Sequence, residues 1–207
     1  MSGRRPLPRV HAITDGAVLA LPDLAIRAGA LAAAGSGLAL HARDRAAPVA
    51  ALVAAAARFV ALARPPEASV FVNARPDVAA AVGAHGVQLG AADLAPADAR
   101  RLLPDAWIGR SVPGAEEARA ARDEGADFLL VGPVYETATH PGRPAGGAAL
   151  VRACAGLGLP VIAIGGITAD RVVEMREAGA YGVAAIRALW LAPDPARSAL
   201  EFLDRLN

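Results

Sequence analysis

The sequence contains no lysine and a single cysteine, and each scarcity excludes a class of structure or chemistry. Without lysine, all fixed positive charge is carried by arginine, whose planar guanidinium can pair with a carboxylate or a phosphate through two hydrogen bonds. Cys154 has no partner for an internal disulfide. No group of Cys and His residues has the spacing of metal ligands, so the sequence predicts no metal site of this kind.

Long hydrophobic runs and strong net charge are also lacking. Although 55% of the residues are hydrophobic, no run approaches the roughly 20 uninterrupted apolar residues of a membrane span. The net charge is +1 and no basic run alternates with aromatic residues, so neither a membrane nor nucleic acid is an expected partner. The first ten residues, MSGRRPLPRV, are basic but lack the apolar block of a secretory signal, so we expect a cytoplasmic protein.

The sequence does contain short apolar runs that alternate with alanine-rich helical segments. Eight predicted strands alternate with eight predicted helices, and no linker rich in Pro, Gly or Ser divides residues 1–207. This pattern predicts an α/β fold, a single (β/α)8 TIM barrel in one domain, with a doubly wound open sheet as the alternative. The predicted strands are Val10–Thr14, Leu38–Arg43, Ala68–Asn73, Gly86–Leu89, Trp107–Val112, Asp127–Val134, Pro160–Ile164 and Gly182–Ile186.

The stretch from Gly158 to Trp190 is predicted to form a strand, a glycine turn, a helix and another strand. Gly165 and Gly166 have no Cβ, so a ligand can approach their backbone closely. We expect Thr168 to cap a helix from about 169 to 178. Exposed N–H groups at such a turn suit a phosphate, and TIM barrels commonly bind phosphate after strands 7 and 8. The alternative is an ordinary crossover without a ligand.

Polar residues at the carboxyl ends of the predicted strands are the candidates for ligand binding, because the sites of TIM barrels lie there. His41 and Arg43 are two apart on the second strand and so share a face. We expect Arg43 to bind an anionic group, the alternative being an ion pair with an acid on a neighbouring strand. His41 could equally be a hydrogen-bonded histidine of the barrel interior. Asn73 and Gln88 are neutral and could orient a heterocycle or a carboxylate, or satisfy loop backbone.

Four motifs resemble, in this order, the thiamine phosphate synthase superfamily of TIM barrels: GVQLGAADL, IGRSV, DFLLVGPVYETATH and PVIAIGGIT. The resemblance covers nearly the whole chain and implies one of two activities. Thiamine phosphate synthases join a pyrimidine diphosphate to a thiazole phosphate with magnesium. The TenI-like branch includes thiazole tautomerases, which aromatise a thiazole phosphate carboxylate without a metal.

Departures from the synthase pattern favour the TenI-like branch. On the second strand the synthases have Gln-x-Arg-x-Lys, where this chain has HARDR over residues 41–45. After the third strand they have Asn-Asp, the Asp holding magnesium, where this chain has Asn73 followed by Ala74. Asp93 matches the second magnesium carboxylate. In the sixth loop a lysine that contacts the diphosphate is replaced by His140.

The resemblance therefore implies a metal-independent isomerase of the thiazole tautomerase kind, with no cofactor and a thiazole phosphate as its small-molecule substrate. His41 and His140 are the candidate acid/base residues, and Pro133 stands where tautomerases have their catalytic histidine. The candidate substrate-binding residues are Arg43, Asn73, Gln88, Ser111, Thr137, Thr139, Gly165, Gly166 and Arg187.

Two other functions are kept as alternatives. One is a thiamine phosphate synthase, a transferase that needs Mg²⁺. The other is a non-catalytic regulatory protein that binds a thiamine precursor. The sequence leaves the oligomeric state open, a homo-oligomer included.

Overall fold

The computed structural model describes residues 4–64, 67–137, 142 and 144–207, and the structural statements below concern this part of the chain. Eight parallel strands pair in chain order, and β1 also pairs with β8, which closes the sheet into a barrel. The TIM-barrel prediction is confirmed and the open-sheet alternative is wrong. The strands are β1 Val10–Ile13, β2 Leu38–Ala42, β3 Ser69–Asn73, β4 Gly86–Leu89, β5 Trp107–Val112, β6 Phe128–Val131, β7 Val161–Ile164 and β8 Gly182–Ala185.

Helices follow the strands and pack around the outside of the barrel. Two short 3₁₀ turns, Gly35–Gly37 and Ala169–Arg171, supplement them. The helices are α1 Gly16–Leu19, α2 Leu24–Ala32, α3 Val49–Leu62, α4 Pro76–Val82, α5 Pro96–Leu102, α6 Ala115–Asp123, α7 Gly147–Ala155, α8 Val172–Glu177, α9 Arg187–Trp190 and α10 Pro195–Leu206.

The helix predicted after β7 differs from the expectation. Instead of one helix over about 169–178, a 3₁₀ turn precedes the six-residue α8. The Thr168 side chain makes no capping hydrogen bond, so the predicted cap is wrong; its carbonyl oxygen accepts a hydrogen bond from Arg171 N at 3.0 Å. The four-residue helices α1 and α9 were not predicted, because one helical turn is too short to show a hydrophobic period.

Two apolar layers hold the barrel together. The larger layer lies between the strands and the surrounding helices, as expected for a parallel sheet that is buried on both faces. The smaller layer fills the barrel itself and includes Ile13, Phe71, Phe128 and Ile162. Leu7, which precedes β1, packs into this inner layer. The carboxyl ends of the strands, with their polar side chains, lie beyond this inner layer. They line the mouth of the barrel opposite to Leu7.

None of the described helices has both the length and the apolar character that crossing a lipid bilayer requires.

Candidate active site

A cavity of about 990 Å³ opens at the carboxyl ends of the strands, where the sites of TIM barrels lie. Thr139 and His140 lie outside the described residues, so the structure does not place them. The roles proposed for all these residues stay predictions. The predicted substrate-binding residues that line the cavity are Arg43, Asn73, Gln88, Ser111, Thr137, Gly165, Gly166 and Arg187.

His41, the predicted acid/base residue, is fully buried beneath this cavity and does not line it. Its Nε2 lies 2.8 Å from Nδ1 of His11, and its Nδ1 lies 3.1 Å from Oδ1 of Asn73. Burial first, and then the nearby His11, lower the pKa of His41 well below its usual value. A neutral ring with both nitrogens engaged inside the protein is poorly placed to exchange a proton with a ligand.

Three neutral polar side chains form a row across adjacent strands at one side of the cavity. Asn73 on β3 and Gln88 on β4 are paired in the sheet register, and Gln88 Nε2 donates to Ser111 Oγ on β5 at 3.0 Å. The Oε1 atom of Gln88 is buried and has no hydrogen-bond partner among the described residues. The row carries no charge, so it suits an uncharged heterocycle better than a phosphate.

Arg43 provides charge next to this neutral row. It follows β2, is half-buried and lines the cavity. Burial lowers the pKa of its guanidinium, and the charge of Arg45 lowers it further, whereas Asp15 and Asp44 raise it. An arginine remains protonated under these influences. Two arginines and two acidic side chains therefore lie close together at this edge, and the guanidinium of Arg43 lines the cavity, where an anionic group of a ligand can reach it.

A glycine turn after β7 forms the opposite side of the cavity. Gly165 has a φ of +105° and Gly166 a φ of +64°, a region that side-chain-bearing residues rarely adopt. A Cβ at Gly166 would lie 2.8 Å from the carbonyl oxygen of Glu136. Glycine is therefore required here by the close packing of the loop after β6, and not only by the approach of a ligand.

Arg171 is a cavity residue that the sequence analysis missed. Its Nη1 donates to the carbonyl oxygen of Gly166 at 2.6 Å, and its guanidinium lies 4.1 Å from the centroid of the Tyr135 ring. Tyr135 donates in turn to a carboxylate oxygen of Glu174. These contacts hold a cation beside the glycine turn. The sequence pattern predicts Arg171 within an ordinary helix, whereas the residue ends a 3₁₀ turn and lines the cavity.

Arg187 adds a second cation to this side. It begins α9 directly after β8 and lines the cavity. No ion pair of Arg187 is found within the described part of the chain. A glycine turn after strand 7, a short extra helix after strand 8 and two arginines together form a setting that suits a phosphate.

Carboxylates are scarce at the cavity. Among the described residues, no group of three or more His, Cys, Asp and Glu side chains could hold a metal ion. Asp93 lines the cavity, and its Oδ2 accepts a hydrogen bond from Gly90 N at 2.6 Å. Ala74 also lines the cavity and has a φ of +65°. Asp44 also lines the cavity, so a Mg²⁺ ion bound here would depend on at most these two described carboxylates and on oxygens of the substrate, an arrangement that magnesium accepts.

Known proteins resemble the chain over most of its length. The family model described as thiamine monophosphate synthase (TMP-TENI) matches residues 10–189. A thiamine-phosphate synthase of Thermus thermophilus is 48% identical over 151 residues, 72% of this chain and 73% of that protein. One of Anaeromyxobacter dehalogenans is 44% identical over 176 residues, 83% of this chain and 79% of that protein. A solved thiamine phosphate pyrophosphorylase from Pyrococcus furiosus shares 31% identity and a TM-score of 0.82, covering 96% of this chain and 95% of that chain.

These similarities correct the expected activity. The expectation of an isomerase of the thiazole tautomerase kind is wrong, because relatives at 42–48% identity are named thiamine-phosphate synthase, a transferase. Departures at a few positions, such as Ala74, indicate less about the activity than agreement along most of the chain does. The superfamily assignment itself is confirmed: the chain belongs to the thiamine monophosphate synthase family.

Proposed function

We propose that this protein is a transferase that joins a pyrimidine diphosphate to a thiazole monophosphate to form thiamine phosphate. The observation that carries the proposal is the 42–48% identity to proteins named thiamine-phosphate synthase over most of this chain. The division of the cavity into a neutral and a cationic side supports it. The predictions of a cytoplasmic protein and of no nucleic-acid partner remain part of this proposal, and the oligomeric state stays open.

The cavity offers separate surfaces for the parts of these substrates. The neutral row of Asn73, Gln88 and Ser111 suits the pyrimidine ring, which must be oriented by hydrogen bonds without burying an unpaired charge. The glycine turn with Arg171 and Arg187 suits the monophosphate of the thiazole. Arg43 follows β2, the strand that pairs with the strand of Asn73, and its guanidinium suits the diphosphate.

The reaction needs no general acid or base. The lone pair of the thiazole nitrogen forms a C–N bond to the methylene carbon of the pyrimidine, and diphosphate leaves with the electrons of the broken C–O bond. No proton is transferred in this exchange. A site whose described histidines at the barrel centre are neutral and internally hydrogen-bonded is consistent with such a step. What the site must supply is positioning, and positive charge for the leaving diphosphate.

Magnesium is part of this proposal. Asp93, which matches a magnesium carboxylate of the family pattern and lines the cavity, would hold it together with oxygens of the substrate. Bound Mg²⁺ would neutralise charge on the diphosphate as it leaves. Arg43 would orient the same group, and the hydrogen bond from Gly90 N fixes the Asp93 carboxylate.

The proposal is tested by supplying the purified protein with both half-substrates. We expect thiamine phosphate and diphosphate to form in equal amounts when Mg²⁺ is present, and the rate to fall sharply after chelation with EDTA. Mass spectrometry of the product distinguishes the condensation from hydrolysis of the diphosphate. Absence of product at saturating concentrations of both substrates would refute the proposal.

A further inference from the structure

Four groups form a continuous hydrogen-bonded chain from the barrel interior to the cavity. His11 Nε2 lies 3.0 Å from the carbonyl oxygen of Pro8, His11 Nδ1 lies 2.8 Å from His41 Nε2, and His41 Nδ1 lies 3.1 Å from Asn73 Oδ1. Both rings are fully buried, and His41 also stacks on Phe71 with ring centroids 4.9 Å apart. The geometry leaves little freedom to these rings, so the protons in the chain can be counted.

The number of protons is one too few for the number of contacts. Each of the three contacts needs one N–H, but two neutral imidazoles supply only two. At one end the carbonyl of Pro8 can only accept, so His11 must carry its proton on Nε2. His11 Nδ1 then accepts from His41 Nε2–H, and His41 Nδ1 is left without a proton. With Oδ1 of Asn73 in front of it, two acceptors would face each other.

Two changes could repair this last contact, and burial distinguishes between them. One is a third proton, which would place an imidazolium in the barrel centre. Desolvation opposes that charge: it lowers the pKa of His11 to about 4, and it lowers the pKa of His41 in the same direction. The other is a half turn of the Asn73 carboxamide, which exchanges its oxygen and nitrogen. The other polar atom of this carboxamide, Nδ2, has no hydrogen bond within the described residues, so no contact there opposes the half turn.

We propose that the neutral His11–His41 pair is a positioning device, which holds the Asn73 N–H toward His41 and the Asn73 carbonyl oxygen toward the cavity. Asn73 then accepts a hydrogen bond from an N–H donor on the substrate heterocycle. This step rests on the proposed function, in which that heterocycle is an aminopyrimidine. His11 and His41 touch no substrate and act through Asn73.

The first test concerns the free protein and does not depend on any activity. Long-range ¹H–¹⁵N NMR of protein labelled at histidine reports which ring nitrogen carries the proton, and variants of His85 and of His140 assign the remaining signals. We expect both His11 and His41 at neutral pH to be uncharged with the proton on Nε2. A proton on His41 Nδ1, whether in a neutral ring or in an imidazolium, overturns the proposal.

The second test measures binding by titration calorimetry, so that it still reports if no product forms. The probes are the amino-bearing pyrimidine diphosphate and an analogue with hydrogen in place of the amino group. We expect the protein to prefer the amino compound by about tenfold, the value of a typical net hydrogen bond. In His41→Phe this preference should vanish, because the Asn73 amide is no longer held. Equal affinities in the unmodified protein overturn the proposal.

Further variants separate positioning from a merely structural role. His41→Gln restores both an acceptor and a donor and should recover the preference, while Phe71→Leu disturbs the stacking alone and should leave it intact. In Asn73→Leu, adding His41→Phe should have no further effect on affinity, because both changes act through one contact. Effects that add in this double variant would overturn the proposal. Failure of the proposed function gives a different result. No thiamine phosphate forms in that case, whereas the tautomers of His11 and His41 and the preference for the amino compound are still observed.

Discussion

Ala74 occupies a backbone conformation that suits other residues better. Its φ is +65°, where Asn and Asp are several-fold enriched over other non-glycine residues. Ala74 lines the cavity, at the position where the synthase pattern has a magnesium-binding Asp. We predict that Ala74→Asp lowers the Mg²⁺ concentration needed for half-maximal activity several-fold, without loss of stability. Magnesium titrations of the initial rate and urea unfolding measure these two effects.

The matched control for this change is Ala74→Asn. Asn fits the same backbone conformation but carries no charge, so it should have the stability of the Asp variant and the magnesium dependence of the unmodified protein. An equal gain in both variants would show that backbone fit, and not the carboxylate, is responsible.

Arg187 permits a second prediction for a single residue. A hydrogen bond to a charged group contributes about 1.5–3 kcal/mol, so Arg187→Ala should raise the KM for thiazole monophosphate roughly 10- to 100-fold. The KM for the pyrimidine diphosphate should change much less. Steady-state kinetics with each substrate varied in turn measure the two values. Arg101→Ala on α5 is the control, because that side chain is 82% exposed and remote from the cavity. A rise confined to the diphosphate KM would place Arg187 at the other substrate.

Among the helices, α10 shows most clearly how one face is buried while another stays exposed. Phe202 is buried against the barrel and is 1% exposed, whereas Leu200 on the same helix is 51% exposed. The helix contacts α2, α8 and α9, so its buried face joins the end of the chain to its first half. Truncation of a buried Phe commonly costs about 3–5 kcal/mol, so we predict a loss of that size in the free energy of unfolding for Phe202→Ala. Leu200→Ala should change it by less than about 0.5 kcal/mol. Urea unfolding of both variants measures these changes in the free energy of unfolding. Similar losses in the two variants would contradict the burial of one face and the exposure of the other.

Most elements could be predicted from the sequence because each is long enough to show its own pattern. The bounds of β4 and β5 agree with the prediction, since Gly or Pro marks their ends or their neighbours. The one-turn helix α9 could not be predicted in this way. Spacing on the second strand could not give the depth of either side chain: β2 ends at Ala42, His41 is buried beneath the cavity, and Arg43 lines it. His11, 30 residues away in the sequence, determines which ring nitrogen of His41 carries the proton, and no local sequence pattern indicates that the two residues pair.

For the whole molecule, similarity along most of the chain supports an activity more strongly than departures at single positions count against it. Ala74 and His140 suggested the loss of magnesium chemistry, yet Mg²⁺ can be bound largely by substrate oxygens. A change in one ligand therefore excludes less than it suggests. The barrel, with its glycine turn and arginines, preserves what the proposed condensation requires: two ligands held together and charge for a leaving group.

The buried histidines connect the stability of the whole barrel to pH. Burial lowers the pKa of His11 to about 4, against about 6.5 in the unfolded chain, so below pH 6.5 the unfolded chain binds a proton that the barrel excludes. Stability is then complete above about pH 6.5 and is lost as the pH falls toward 4. For His11 the loss is on the order of 3 kcal/mol, and the lowered pKa of His41 acts in the same direction.

We therefore predict that the free energy of unfolding falls steadily between pH 6.5 and 5, a range above the titration of most carboxylates. Urea unfolding at several pH values measures this slope. The double variant His11→Gln, His41→Gln should show a much shallower slope, although a smaller one remains because burial also lowers the pKa of the half-exposed His85 to about 4. An equal slope in both proteins would mean that the folded barrel already holds a charged histidine, and the neutral pair that positions Asn73 would then be wrong as well.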